Sequence, residues 1–110
     1  MSFSIIPIRE LDDRMRQPRT ILIDLRDEED YQRDHIPGAE NIPYEQWKLE
    51  MDSGKYQSDM TIIFYCDRGN QSMYAAREMN RRGYFAISIA GGYRSYEVWK
   101  EADRKGTKRF

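Results

Sequence analysis

The stretch that decides the fold is T-I-I-F-Y-C-D-R-G-N-Q-S-M-Y-A-A, residues 61–76. Its first part, 61–65, is short, apolar and rich in β-branched and aromatic side chains, which predicts a buried strand. Cys66 follows that strand directly, and a helix is predicted from Gln71. Because ligands of α/β sheets bind beyond the carboxyl ends of the strands, this spacing places Cys66 in such a crevice.

The loop between Cys66 and the predicted helix is suited to holding an anion. Gly69 allows a sharp turn, and successive backbone N–H groups that lead into a helix can converge on one anion. The natural anion is the sulfur of Cys66, because a helix dipole and a few charge-assisted hydrogen bonds favour a thiolate. Arg68 adds positive charge, whereas Asp67 opposes the thiolate if it points inward. The alternative is that Cys66 is only a small hydrophobic residue at the end of a core strand.

The rest of the chain alternates strand and helix patterns, which predicts an α/β sheet. Strands are predicted at 4–6, 20–25, 61–65 and 86–89. Helices are predicted at 8–15, 27–34, 44–51, 71–82 and 93–102. In the helix at 71–82, Ala75, Ala76 and Met79 form an apolar stripe, and Gly83 ends the helix.

Length and charge limit the classes of function. A chain of 110 residues is expected to form a single domain, 1–110. Lys and Arg number 18 against 19 Asp and Glu, so no net field attracts nucleic acid or an anionic membrane. The longest apolar runs have only strand length, and the N-terminus lacks a signal-peptide core, so a cytoplasmic location is expected. One Cys and one His do not make a zinc site, and no metal or other cofactor is expected.

Two further segments flank the Cys66 loop. Upstream lies I-L-I-D-L-R-D-E-E-D-Y-Q-R-D-H-I-P-G-A-E-N-I-P, residues 21–43, and downstream lies G-Y-F-A-I-S-I-A-G-G-Y-R-S-Y, residues 83–96. Together with the loop, these segments resemble the rhodanese-like sulfurtransferases. The loop resembles the family pattern Cys-x-x-Gly-x-Arg-[Ser/Thr/Ala], the upstream segment the first signature of the family, and the downstream segment its closing segment. The resemblance covers nearly the whole chain.

This resemblance implies a fold, a reaction and a site. The fold is a central, mostly parallel five-stranded sheet with helices on both faces. Cys66 is implied as the nucleophile that takes sulfane sulfur from thiosulfate, polysulfide or a persulfide on a small thiol or a protein. The acceptor is implied to be a thiol or a cyanide-like nucleophile. The residues implied to bind the substrate are Asp67, Arg68, Gly69, Asn70, Gln71 and Ser72. Asp24 and Arg26 are implied to support the loop.

One position departs from the family pattern, because Gln71 stands where many members carry arginine. Glutamine lacks the charged fork that grips a sulfonate, so the use of thiosulfate is open unless Arg68 or Arg94 restores the charge. One rival is a rhodanese-shaped binding or regulatory module with little activity. Another is a cysteine-dependent phosphatase, but the pattern Cys-x5-Arg of those enzymes would require arginine at Ser72.

Overall fold

The computed structural model describes residues 4–106. It contains a five-stranded sheet in the order β1-β5-β4-β2-β3, in which every pairing is parallel. The strands are β1 (Ser4–Ile6), β2 (Thr20–Asp24), β3 (Glu40–Asn41), β4 (Thr61–Tyr65) and β5 (Phe85–Ile89). The α-helices are α1 (Leu11–Met15), α2 (Glu28–Arg33), α3 (Trp47–Asp52), α4 (Asn70–Arg81) and α5 (Gly92–Arg104). The predicted α/β class is confirmed.

The sheet separates two apolar clusters, because successive side chains of a strand point to opposite faces. On β4, Ile62 and Phe64 pack into the cluster that includes Ala75, Ala76 and Met79 of α4. Ile63 and Tyr65 pack into the other cluster, which includes Leu11 of α1 and Tyr93 of α5. Helices therefore cover both faces, and the alanine stripe of α4 allows that helix to lie close to the sheet.

The register of β2 and β4 sets the position of the site. Thr20 pairs with Thr61 and Asp24 with Tyr65, so both strands end at the same level. Leu25 continues this pairing with one hydrogen bond, from its N–H to the carbonyl of Tyr65 (2.8 Å). The side chains that follow β2 and β4 therefore meet at the carboxyl edge of the sheet.

Several predicted boundaries were wrong by a few residues. The helix at 8–15 begins with a 3-10 turn (Ile8–Glu10), and the helix at 44–51 begins with another (Tyr44–Gln46). Each turn follows a proline, which lacks an N–H group and fixes φ at the entry. The helix at 27–34 loses one residue at each end, because Asp27 and Asp34 are extended.

Other boundaries differ by one or two residues, since β5 begins at Phe85 and α3, α4 and α5 end at Asp52, Arg81 and Arg104. The differences nearest the site lie at the carboxyl edge. The strand predicted at 20–25 ends at Asp24, and the helices predicted at 71–82 and 93–102 begin one residue earlier than expected. In both helices the residue before the first turn is a glycine with positive φ. The pattern of side chains did not predict β3, because a strand of two residues has no periodicity.

None of the helices within residues 4–106 is long and apolar enough to cross a membrane. That residues 1–110 form one domain, and that the protein is cytoplasmic, stay predictions.

Candidate functional site

Cys66 lies at the carboxyl end of the central strand β4 with its sulfur facing the start of α4. The N–H of Gly69 donates to its Sγ at 3.1 Å, and the N–H of Ser72 donates at 3.4 Å. Cys66 is only 3% exposed and belongs to the apolar cluster beneath α4. Burial as a small hydrophobic residue accounts for the packing of Cys66. It does not account for two amides directed at the sulfur.

The loop contacts the sulfur through its backbone and not through its charged side chains. Asp67, Arg68, Asn70 and Gln71 are all exposed. Of the successive backbone N–H groups that were expected to converge on the sulfur, only those of Gly69 and Ser72 donate to Sγ in the described part of the chain. The shape of the loop therefore provides the contacts to the sulfur.

Glycines allow the loop to adopt this shape. Gly69, the residue before α4, has φ +107°, a backbone conformation that residues other than glycine rarely adopt. Gly92 has φ +61°, and a Cβ there would lie 2.3 Å from the carbonyl oxygen of Cys66. This close approach lets the N–H of Tyr93 donate to that oxygen at 2.7 Å, while Arg94 N–H donates to the Asp67 carbonyl at 3.1 Å. The first turn of α5 thus holds the start of the loop.

A buried ion pair lies beside the loop, at the end of β2. The Arg26 Nη2 is 2.9 Å from the Asp24 Oδ2, and Asp24 is fully buried. Tyr65 donates its hydroxyl to the same carboxylate at 2.6 Å. Burial lowers the pKa of Arg26, but the hydrogen bonds and charge of Asp24 outweigh it and the pKa is raised. Burial, helped by Asp24, also raises the pKa of Tyr65 well above its ordinary value.

Tyr93 connects this ion pair to the loop. The guanidinium carbon of Arg26 lies 3.9 Å from the centre of the Tyr93 ring, within the range of a cation–π contact. The Tyr93 hydroxyl donates to the Asp34 carboxylate, which Lys100 also contacts at 2.7 Å. Lys100 and Tyr93 together lower the pKa of Asp34. Within residues 4–106, Asp24 and Arg26 therefore act on Cys66 indirectly, through Tyr93, which holds its carbonyl, and through Tyr65, which precedes it in the chain.

A polar cavity of about 230 Å³ adjoins the loop. Its lining is rich in carboxylates and includes a single cation, Arg26, as far as residues 4–106 form it. The lining residues are Leu25, Arg26, Asp27, Asp30, Tyr44, Glu45, Asp67 and Gln71. Arg68 and Arg94, which could have replaced the charge missing at Gln71, do not line it.

The sequence predicted Cys66, its loop, Asp24 and Arg26 as site residues, but it did not single out several others, among them Tyr93 and Ser88. Tyr93 lies directly after Gly91 and Gly92, a position that could have indicated a contact with the loop. Ser88 is a polar residue in the apolar run 86–89, and its hydroxyl lies 2.7 Å from that of Ser72. A fully buried polar residue within an apolar strand needs a partner, and that signal was available.

Comparison with known proteins identifies the family. The family described as "Rhodanese-like domain" matches residues 8–100. A tRNA sulfurtransferase of Desulfurococcus amylolyticus is 33% identical over 85 residues, which are 77% of this chain and 16% of that protein. Thiosulfate sulfurtransferase PspE of Escherichia coli is 35% identical over 78 residues, which are 71% of this chain and 75% of that protein.

A solved structure supports the same fold. The human single-domain sulfurtransferase TSTD1 superposes with a TM-score of 0.72 at 24% identity, over 88% of this chain and 97% of that one. The match to the family extends from the turn before α1 into α5 and includes the whole Cys66 loop. The chain belongs to the rhodanese-like family.

Proposed function

We propose that this protein is a sulfurtransferase that carries sulfane sulfur as a persulfide on Cys66. The observation that supports this most strongly is the pair of amides, from Gly69 and Ser72, directed at Sγ at the start of α4. Amide donors in a water-poor site stabilise a negative sulfur without any general base. Asp67, Arg68, Asn70 and Gln71 form the exposed side of the loop, where a donor would arrive.

The reaction consists of two half-reactions. The Cys66 thiolate attacks the outer sulfur of the donor, a new S–S bond forms, and the donor leaves with the electron pair of the broken bond as a thiolate or sulfite. A thiol or cyanide-like acceptor then attacks the outer sulfur and releases the Cys66 thiolate. The protein thus forms a covalent intermediate and ends each cycle unchanged.

The names of two relatives support sulfur transfer, since both are called sulfurtransferases. They differ in the substrate that their names give, thiosulfate for one and tRNA for the other. The chain spans only 16% of the length of the tRNA sulfurtransferase, so the name of that relative does not identify the substrates of this protein. The donor must therefore be inferred from the site.

The polar cavity beside the loop is acidic, and its carboxylates favour a persulfide on a neutral or cationic thiol carrier over thiosulfate as the sulfur donor. Asp27, Glu45 and Asp67 line this cavity beside the loop, and its cation, Arg26, is already paired with Asp24. An anionic donor meets repulsion there, and Gln71 offers it only a neutral amide.

The persulfide itself is tested by mass spectrometry. The reduced protein is incubated with cysteine persulfide, polysulfide or thiosulfate, and intact mass is measured with and without a reductant. We expect one reductant-labile sulfur on the wild type and none on Cys66→Ala or Cys66→Ser. If no donor adds sulfur to the wild type, the protein is better described as a binding module with the rhodanese-like fold.

Donor choice is tested with Gln71→Arg. The added guanidinium supplies the charged fork, so thiosulfate turnover should rise at least about tenfold, while use of cysteine persulfide changes little. Gln17→Arg is the matched control, because it adds the same charge to an exposed glutamine just before β2, at the opposite edge of the sheet. An equal increase for all donors, or an equal increase in the control, would refute the role given to Gln71.

A further inference from the structure

Ser88 is a polar residue near the carboxyl end of the core strand β5. Its neighbours Ile87 and Ile89 are fully buried, as is Ser88 itself. A hydroxyl in such a place costs free energy unless it has a hydrogen-bond partner. Its partner among residues 4–106 is the hydroxyl of Ser72, at 2.7 Å, which joins β5 to the end of the Cys66 loop.

The direction of this hydrogen bond follows from counting protons. Each serine hydroxyl has one proton to donate. The Ser72 Oγ lies 3.1 Å from the Gly69 carbonyl, which can only accept, and 3.6 Å from the Cys66 Sγ. If Ser72 donated to Ser88, the proton of Ser88 would have no acceptor within the part of the chain that the structure describes. Ser88 therefore donates to Ser72, and the proton of Ser72 is left for the loop.

The Ser72 proton has two acceptors within reach, one for each state of the thiol. While Cys66 is protonated, its S–H can donate to the Ser72 Oγ, and Ser72 donates to the Gly69 carbonyl. When the thiol proton leaves to solvent, the Ser72 hydroxyl can rotate toward the sulfur. The Gly69 carbonyl remains satisfied, because it also accepts the N–H of Met73 at 3.0 Å.

We propose that Ser88 is a positioning residue that keeps the Ser72 hydroxyl available as a third donor to the Cys66 sulfur. By donating to Ser72, Ser88 polarises that hydroxyl and prevents it from turning toward β5. No covalent bond of either serine changes. The inference rests on the proposed function only in taking Cys66 as the reacting sulfur, and it is tested on the bare thiol.

The test is a double-mutant cycle on the rate of alkylation by iodoacetamide at neutral pH. Cys66 is the single cysteine of the chain, so the rate reports that sulfur alone. We expect Ser88→Ala to slow alkylation about threefold and Ser72→Ala to slow it more. We expect Ser88→Ala to add nothing in the Ser72→Ala background, because its effect passes through Ser72. The ultraviolet absorbance lost on alkylation, which reports the thiolate, should follow the same order.

Ile87→Val is the matched control, because it removes one methylene from the opposite face of the same strand without touching either hydroxyl. It should leave the alkylation rate unchanged. The proposal is overturned if Ser88→Ala has no effect, if it slows alkylation equally with and without Ser72, or if Ile87→Val slows it as much. Sulfur loading is measured separately by mass. If the effect of Ser88→Ala on alkylation depends on Ser72 but no persulfide forms, the proposed function is refuted and this inference still stands.

Discussion

The Cys66 loop and the buried network beside it keep their shapes by different means. The loop contacts Sγ with the amides of Gly69 and Ser72. The network depends on side chains, with the Asp24 carboxylate contacted by both Arg26 and Tyr65. The loop should therefore tolerate changes of its exposed side chains but not changes of backbone shape, and the network should show the reverse.

The largest expected effect is on the network. Arg26→Met leaves the Asp24 carboxylate buried without its cation, which should lower the free energy of unfolding by about 3–5 kcal/mol in urea titrations. Arg16→Met breaks an exposed pair with Asp13 and should cost less than about 1 kcal/mol. Equal losses in the two variants would contradict the role of the buried pair.

The next effect is on the backbone shape of the loop. Gly92→Ala places a Cβ 2.3 Å from the Cys66 carbonyl oxygen, which should lower the free energy of unfolding by about 2–4 kcal/mol. Sulfur loading of Cys66 should fall with it. Gly83→Ala is the control, because Gly83 also has a positive φ (+98°) but a Cβ added there would meet no residue beyond its chain neighbours within 4 Å. Gly83→Ala should lower the free energy of unfolding by only about 1–2 kcal/mol and leave the sulfur loading of Cys66 intact. Thermal unfolding measures the stability of the two variants, and mass spectrometry measures their sulfur loading.

The contribution of the Tyr65 hydroxyl to the stability of the buried network should depend on pH, and Tyr65→Phe tests this. The variant loses the hydrogen bonds to Asp24 and to the Ile36 N–H, which should cost about 1–3 kcal/mol at neutral pH. Because burial raises the pKa of Tyr65 in the folded state, its contribution is complete below about pH 10 and is lost as the pH rises further. The stability of the wild type should therefore fall more steeply above pH 10 than that of Tyr65→Phe. Parallel curves would contradict the assignment.

The smallest effect is expected for the exposed side chains of the loop. Arg68→Ala and Asn70→Ala remove no contact with Sγ and should change the free energy of unfolding by less than about 0.5 kcal/mol. Persulfide formation from a neutral donor should persist in both variants. A loss of loading similar to that of Gly92→Ala would show that these side chains, and not the backbone, hold the sulfur.

The sequence predicts those parts of the site that depend on which elements follow one another along the chain. A buried strand, Cys66, Gly69 and a helix follow one another, and that order alone places the amides near the sulfur. The meeting of Asp24 with Tyr65 depends instead on the register of β2 and β4, which alternation along one strand does not reveal. Alternation at the end of the predicted second strand does direct Asp24 and Arg26 toward the crevice of the loop, and the family resemblance implies that they support it.

The missed features are those that depend on packing between distant segments. β3 is a strand only because Glu40 and Asn41 lie against the end of β2. Tyr93 contacts both Arg26 and the Cys66 carbonyl only because Gly92 allows α5 to approach the loop. The acidic cavity likewise joins residues from the segments after β2, β3 and β4, whose proximity is a property of the sheet.

The most direct measurement follows the amide protons of the loop while sulfur is loaded. In ¹H–¹⁵N spectra of the protein before and after addition of cysteine persulfide, the largest chemical-shift changes should belong to Gly69 and Ser72. Both should reverse when a thiol acceptor removes the sulfur. Loading confirmed by mass, with these two resonances unmoved, would contradict the claim that the backbone amides of Gly69 and Ser72 stabilise the reacting sulfur of Cys66.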